Sequence, residues 1–266
     1  DFYLKELERV SASSVIHYHA NIHKALKYAV KLDLISSNPA DKIERPKKER
    51  FMANFYDADE VNRLFEISKG TKLEIPILFG AFYGMRRSET LGMKWDAIDF
   101  ERDTITIRHT LTTVALDGKR ITVAEDRTKN KSSMRTLPLV PFVKERLLEL
   151  KAEQEENRRL CGRSYVKDYT GYVCINEIGD IIKPNYVSCG FPKLLEEHGL
   201  RRVRYHDLRH SCASLLLANG VPMKQIQEWL GHSDFSTTAN IYAHLDYSSK
   251  LTSADAMLNG LGFAQN

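Results

Sequence analysis

Six side chains in this sequence form a set that can attack a phosphodiester without a metal: two arginines, a lysine, two histidines and a tyrosine. Arg86 lies in Gly84-Met85-Arg86-Arg87-Ser88-Glu89, and Lys129 in the basic stretch Arg127-Thr128-Lys129-Asn130-Lys131-Ser132-Ser133-Met134-Arg135. His206 and Arg209 lie in Arg201-Arg202-Val203-Arg204-Tyr205-His206-Asp207-Leu208-Arg209-His210, while His232 and Tyr242 flank Ser233–Ile241. Guanidinium forks match the nonbridging oxygens of a phosphate and neutralise charge where it grows. A histidine can take the proton of a tyrosine, whose phenol (reference pKa about 10) is a poor nucleophile until deprotonated. A lysine can protonate the departing oxygen, and the tyrosine then holds a covalent phosphoester. Arg86 with Glu89, and His206 with Arg209, are three residues apart, so each pair shares a helical face and Glu89 can orient the Arg86 guanidinium.

Other chemistries lack their residues. There is no GxxxxGK[ST] loop, no GxSxG elbow and no GxGxxG. His206 and His210 have zinc-motif spacing, but the second position is Asp207 rather than Glu and no third ligand is suggested; His19 and His23 share the spacing without a carboxylate partner. No metal site is expected.

The elements that must position these side chains are mostly helical. Residues 13–35 carry apolar residues at helical spacing, with Ser13 or Ser14 suited to cap the start, and Asn38-Pro39 bars the helix from running further. One long helix cannot enclose a core, so residues 1–45 read as the end of a domain that begins further upstream. A basic linker composition comes next, placing a boundary at 46–54. Asp57-Ala58-Asp59-Glu60 reads as a helix start and 73–83 as an apolar helix. Thr104–Ile107 alternates with period two, Asp117-Gly118 signals a tight turn before Lys119–Val123, and a further strand spans 133–139. Helices are expected at 142–160, 184–198, 206–219, 222–231 and 235–244. The basic 127–135 stretch then falls at a hairpin tip. The fold class predicted is mainly α with a small antiparallel β-sheet.

Composition agrees. The 266 residues carry 39 Lys+Arg against 35 Asp+Glu, a net charge of +4, with 42% hydrophobic residues. The modest total averages an acidic helix (Glu145, Glu149, Glu153, Glu155, Glu156) against basic segments at 42–50, 127–135 and 201–210, where phosphates are expected. No apolar run approaches the roughly 18 residues of a membrane span. The four cysteines, at 161, 174, 189 and 212, form no CxxC pair, which fits a reducing cytoplasm.

In order and spacing, Gly84-Met85-Arg86-Arg87-Ser88-Glu89, Thr128-Lys129, His206-Asp207-Leu208-Arg209-His210 and Leu230-Gly231-His232 through Tyr242 resemble the catalytic boxes of the tyrosine recombinases, the phage-integrase family. The resemblance covers about residues 55–245, and Thr237–His244 looks most like integrases of conjugative transposons and Gram-positive phages. It implies that Arg86 and Arg209 clamp the scissile phosphate, His206 transfers a proton, Lys129 is the general acid, His232 supports the phosphate and Tyr242 is the nucleophile, with Glu89 beside the first arginine. Lys131 is close enough to exchange roles with Lys129; Arg87 rivals Arg86, and Tyr205 and Tyr247 are alternative phenols. DNA contacts are expected from Lys47, Lys48, Arg50, Arg87, Lys131, Arg135, Arg201, Arg202, Arg204 and Lys224. The family resemblance further implies double-stranded DNA as partner, a tetramer on DNA, an excisionase-type directionality factor, no metal or nucleotide cofactor, and a bacterial cytoplasmic setting. Residues 1–45 would be the end of a helical core-binding domain, 55–248 the catalytic domain and 249–266 a tail helix docking on a neighbouring subunit. The competing expectations are relaxation of DNA in the manner of a type IB topoisomerase and a non-catalytic DNA-binding regulator.

Overall fold

The structure is a computed structural model that describes residues 2–47, 55–117, 119–125 and 134–231. The chain divides into two compact units, Asp1–Met52 and Ala53–Asn266.

In the first unit, α1 (Phe2–Leu7) and α2 (Ala12–Lys31) are followed by a 3-10 turn at Pro39–Lys42. The cap of α2 is Ser11, whose hydroxyl accepts from the Ser14 amide, so the helix begins before the expected position and ends at Lys31 rather than 35. Tyr3 Oη lies 2.8 Å from His19 Nδ1, and His23 Nε2 lies 2.6 Å from Asp41. Among the described residues of this unit, only Val15 and Ala40 are buried apolar side chains, while Ile22, Tyr28, Leu32 and Leu34 stay exposed.

The second unit starts with α3 (Ala58–Ser68), fixed by a reciprocal cap: Asp57 accepts from the Glu60 amide and Glu60 from the Asp57 amide. Helix α4 (Glu74–Phe82) is apolar all round because it is enclosed all round, packing against α3 and α8. After the short α5 (Arg87–Leu91) come β1 (Ile98–Asp99) and β2 (Thr104–Ile107). The expected single sheet is two: β2 lies between β1 and β5 (Arg135–Pro138), whereas β3 (Thr110–Leu116) and β4 (Lys119–Glu125) make a separate ribbon; all pairings are antiparallel. Asp117, at φ +49°, opens the ribbon's turn as a two-residue hairpin loop requires. Register sets Ile105 opposite Leu137 and Ile107 opposite Arg135; both isoleucines are fully buried.

Helices α6 (Pro141–Cys161), α7 (Pro184–Glu197), α8 (Asp207–Ala218) and α9 (Met223–Leu230) complete the described unit. The acidic face of α6 is tied inward through Arg146, which donates to Glu74 at 2.7 Å and Glu153 at 2.9 Å. The expected 235–244 and 249–266 helices and the 127–133 tip lie outside the described residues. All four cysteines are free, and among the described residues no helix is long and apolar enough to cross a membrane.

Candidate active site

The chain leaves α4 through Gly84, whose φ is +62°; a Cβ there would lie 2.3 Å from Leu230 Cδ2, so both the backbone and the close approach of α9 demand glycine. Two residues on, Arg86 sits in extended conformation just before α5, not on a helix face as its spacing suggests. Glu89, in the first turn of α5, reaches back to it twice: its carboxylate accepts the Arg86 amide at 3.0 Å and Arg86 Nη1 at 2.6 Å. The three-residue spacing thus works through the helix start, where orphan amides and the dipole favour a carboxylate.

Two further guanidiniums converge there from distant sequence. Arg135, at the start of β5, donates from Nη2 to Glu89 at 3.1 Å and from Nε to the Trp229 carbonyl at 2.7 Å. Arg209, in the first turn of α8 and 2% exposed, donates to the Gly84 carbonyl at 2.6 Å. Arg86 Nη2 donates to the Gly231 carbonyl at 3.3 Å; Gly231 ends α9 in the left-handed conformation, at φ +68°. Carbonyls at two tight turns and at the end of a helix thus hold the three forks.

Burial pushes the Glu89 carboxyl upward, but Arg135 and Arg86 outweigh it and the net shift is downward, so Glu89 is ionised. Burial, then Arg86 and Arg135, lowers the Arg209 pKa to about 9, which leaves it charged at neutral pH. Among the described residues, three guanidiniums and one carboxylate sum to two net positive charges in a largely buried cluster, and such a surplus favours an anion.

His206 stands at the threshold of α8, three residues from Arg209. Protein packed around its ring, then His210 and the Arg209 guanidinium, push its pKa down to about 4, although the residue keeps an exposed surface; Arg86 adds to the shift. The imidazole is neutral at pH 7 and able to accept a proton. Its ring stands edge-on to that of His210 at 5.5 Å, and among the described residues no group of three or more His, Cys, Asp or Glu could hold a metal ion.

The remaining expected residues are distributed more widely. Arg87 is exposed and donates to Ser188 on α7. Arg201 forks onto Glu60 at 2.8 and 2.7 Å, and Arg204 onto the buried Asp207 at 3.1 and 2.7 Å; both therefore brace the fold as well as facing solvent. Arg202 is exposed, Lys224 lies 3.6 Å from Glu228, and Lys47 is exposed on the first unit. Arg135, expected as an outward DNA contact, is instead buried at the centre of the cluster, because Glu89 and the Trp229 carbonyl draw it inward. Tyr205, an alternative phenol, is buried and donates to the Pro76 carbonyl at 2.5 Å, with its pKa raised by burial. Lys48, Arg50, Lys129, Lys131, His232, Tyr242 and Tyr247 lie outside the described residues. The holding carbonyls of Gly84, Trp229 and Gly231 had no signal in residue type; the two glycines alone hinted at tight turns.

The sequence matches the Phage integrase family over residues 54–249. It is 32% identical over 273 residues to a XerC-like tyrosine recombinase of Caldanaerobacter subterraneus subsp. tengcongensis, covering 98% of this chain and 69% of that one. It is 29% identical over 250 residues to tyrosine recombinase XerC of Pediococcus pentosaceus, covering 91% and 73%. Its fold is similar to that of the Tn1549 transposon integrase, solved with circular intermediate DNA, with a TM-score of 0.77 at 19% identity over 96% of this chain and 84% of that one. Fold and sequence together define a site-specific recombinase of the tyrosine type. The chain belongs to the phage integrase family.

Proposed function

We propose that this chain cuts and rejoins duplex DNA through a 3′-phosphotyrosine at Tyr242, and that Arg86, Arg209 and His206 act on the scissile phosphate together with Lys129 and His232. The observation that carries this reading is the charge of the cluster. A phosphodiester bears one negative charge and the five-coordinate transition state bears two. The two net positive charges of Arg86, Arg135, Arg209 and Glu89 match the second better than the first, and that difference accelerates the chemistry.

The steps balance without a nucleotide cofactor. His206, neutral at pH 7, takes the phenolic proton as Tyr242 Oη attacks phosphorus. The bond from phosphorus to the 5′ oxygen breaks, and that oxygen takes a proton from Lys129 or Lys131. Attack by the 5′ hydroxyl of a partner strand reverses the sequence and frees the tyrosine, so the energy of the broken bond is kept. On this reading the substrate is a recombination site of a mobile element, integration and excision are the outcomes, and four copies assemble on DNA with tail residues 249–266 exchanged between them. An excisionase-type factor would set direction. Lys47, Lys48, Arg50, Arg87, Arg202 and Lys224 contribute phosphate contacts. Residues 1–45 form part of the DNA grip and 55–248 the catalytic domain.

A nicked suicide duplex, whose cleaved end diffuses away, tests the proposal. A covalent adduct mapped to Tyr242, leaving a free 5′ hydroxyl and lost in Tyr242→Phe with DNA binding retained, is the expected result. An adduct on another residue, or one surviving in Tyr242→Phe, refutes it. Exchange of strands between two duplexes, rather than relaxation of a supercoiled circle alone, separates recombination from topoisomerase-like action.

A further inference from the structure

Arg135 touches three elements at once. It opens β5, its Nη2 binds Glu89 in the first turn of α5, and its Nε binds the carbonyl of Trp229, the next-to-last residue of α9. Its side chain is 7% exposed and Glu89 2%, a depth at which an arginine is held for its fork rather than as a surface charge. Nε and Nη2 are two donors of one rigid planar fork, and they bind acceptors on two different elements.

Each of the three elements borders a residue of the proposed chemistry. Arg86 immediately precedes α5 and shares Glu89 with Arg135. His232 follows Trp229 by three positions, and Lys131 and Lys129 precede Arg135 by four and six.

We propose that Arg135 is a positioning residue that sets the general acid against the phosphate clamp, by tying the strand that follows the lysines to the Glu89–Arg86 pair and to the end of α9. It touches neither phosphate nor leaving oxygen; it acts through Glu89 and through the start of β5. The proposal rests on the reading of Lys129 or Lys131 as the proton donor to the 5′ oxygen.

That dependence supplies the test. A 5′-bridging sulfur in place of oxygen leaves as a thiolate and needs no proton, so cleavage of the sulfur substrate bypasses the acid. Arg135→Lys keeps the charge but replaces the rigid planar fork by a flexible single ammonium. Its DNA affinity, by titration of a labelled duplex, is expected within about twofold of wild type. Its adduct formation on the oxygen substrate is expected to fall about 10²-fold, the low end of what a positioned acid contributes. On the sulfur substrate it is expected to return to within about threefold of wild type. Equal slowing on both substrates, or no slowing on oxygen, overturns the proposal, since a general loosening of the fold does not distinguish the leaving atoms. If thermal melting shows Arg135→Lys unfolded, Arg135→Gln serves through a ratio: losing one charge of the cluster slows both substrates, but the sulfur-to-oxygen rate ratio is expected to rise about 10²-fold over wild type, and an unchanged ratio overturns the proposal. A wild-type chain that forms no adduct on either substrate overturns the proposed function and this inference with it, a pattern unlike a defect confined to Arg135.

Discussion

Replacing Glu89 by glutamine keeps the side chain's shape and removes the only carboxylate among the described groups of the arginine cluster. Breaking a buried ion pair by deleting one partner costs about 3–5 kcal/mol, because the other charge stays buried. That range applies to Glu89 with Arg135, where both side chains are almost sealed from water. Arg86, 34% exposed, is screened and adds little. In a unit of this size each kcal/mol moves the midpoint by about 2–4 °C, so Glu89→Gln should melt roughly 6–20 °C below wild type at pH 7 and low salt. The acid limb carries a second signature. The Glu89 carboxyl is held below its ordinary 4.5 in the folded chain, so its contribution is present above that pH and is lost as pH falls through the lower folded value. Glu89→Gln lacks that part of the acid-induced loss. Duplex DNA should recover part of the lost midpoint, since its phosphates supply the missing negative charge. Scanning calorimetry at stepped pH, with and without duplex, measures all three. A decrease under about 2 °C at pH 7, or an acid limb unchanged from wild type, would refute the view that Glu89 holds the cluster together electrostatically.

Gly84→Ala should cost about 1–3 kcal/mol in urea unfolding, since alanine is strained at φ +62° and its Cβ meets Leu230; a neutral effect would mean that α9 gives way easily. The His206 imidazole should titrate near 4 in the DNA-free protein by NMR, against 6.5 for an ordinary histidine. Because its folded pKa lies below the unfolded one, the unfolded chain takes up the proton first, and stability present above pH 6.5 is lost as pH falls toward 4; His206→Gln should flatten that window. Tyr205→Phe removes the hydroxyl on the Pro76 carbonyl and should cost about 1–3 kcal/mol while leaving adduct formation on the suicide duplex intact; loss of the adduct at unchanged stability would reopen Tyr205 as a reacting phenol.

The sequence by itself determined what depends on neighbours along the chain. The Asp57–Glu60 cap, the apolar run of α4, the alternation in β2 and the Asp117 turn are all legible because helix and strand geometry repeat within a few residues. Arg86 with Glu89 and His206 with Arg209 were legible for the same reason, and their order along the chain carried the resemblance to a recombinase. Local spacing misled where the chain departs from helix: Arg86 stands before α5 rather than on its face. It misplaced Arg135, expected as a DNA contact, whose partners lie 46 and 94 residues away. A basic hairpin flank reads as solvated surface until packing brings a buried carboxylate and a helix-end carbonyl to it. The balance of charge in the cluster was likewise a tertiary result. Which cations share one carboxylate, and how far water is excluded from them, depends on segments that meet only when α4, α5, β5, α8 and α9 are packed together, and that exclusion strengthens charge interactions that water would screen at the surface.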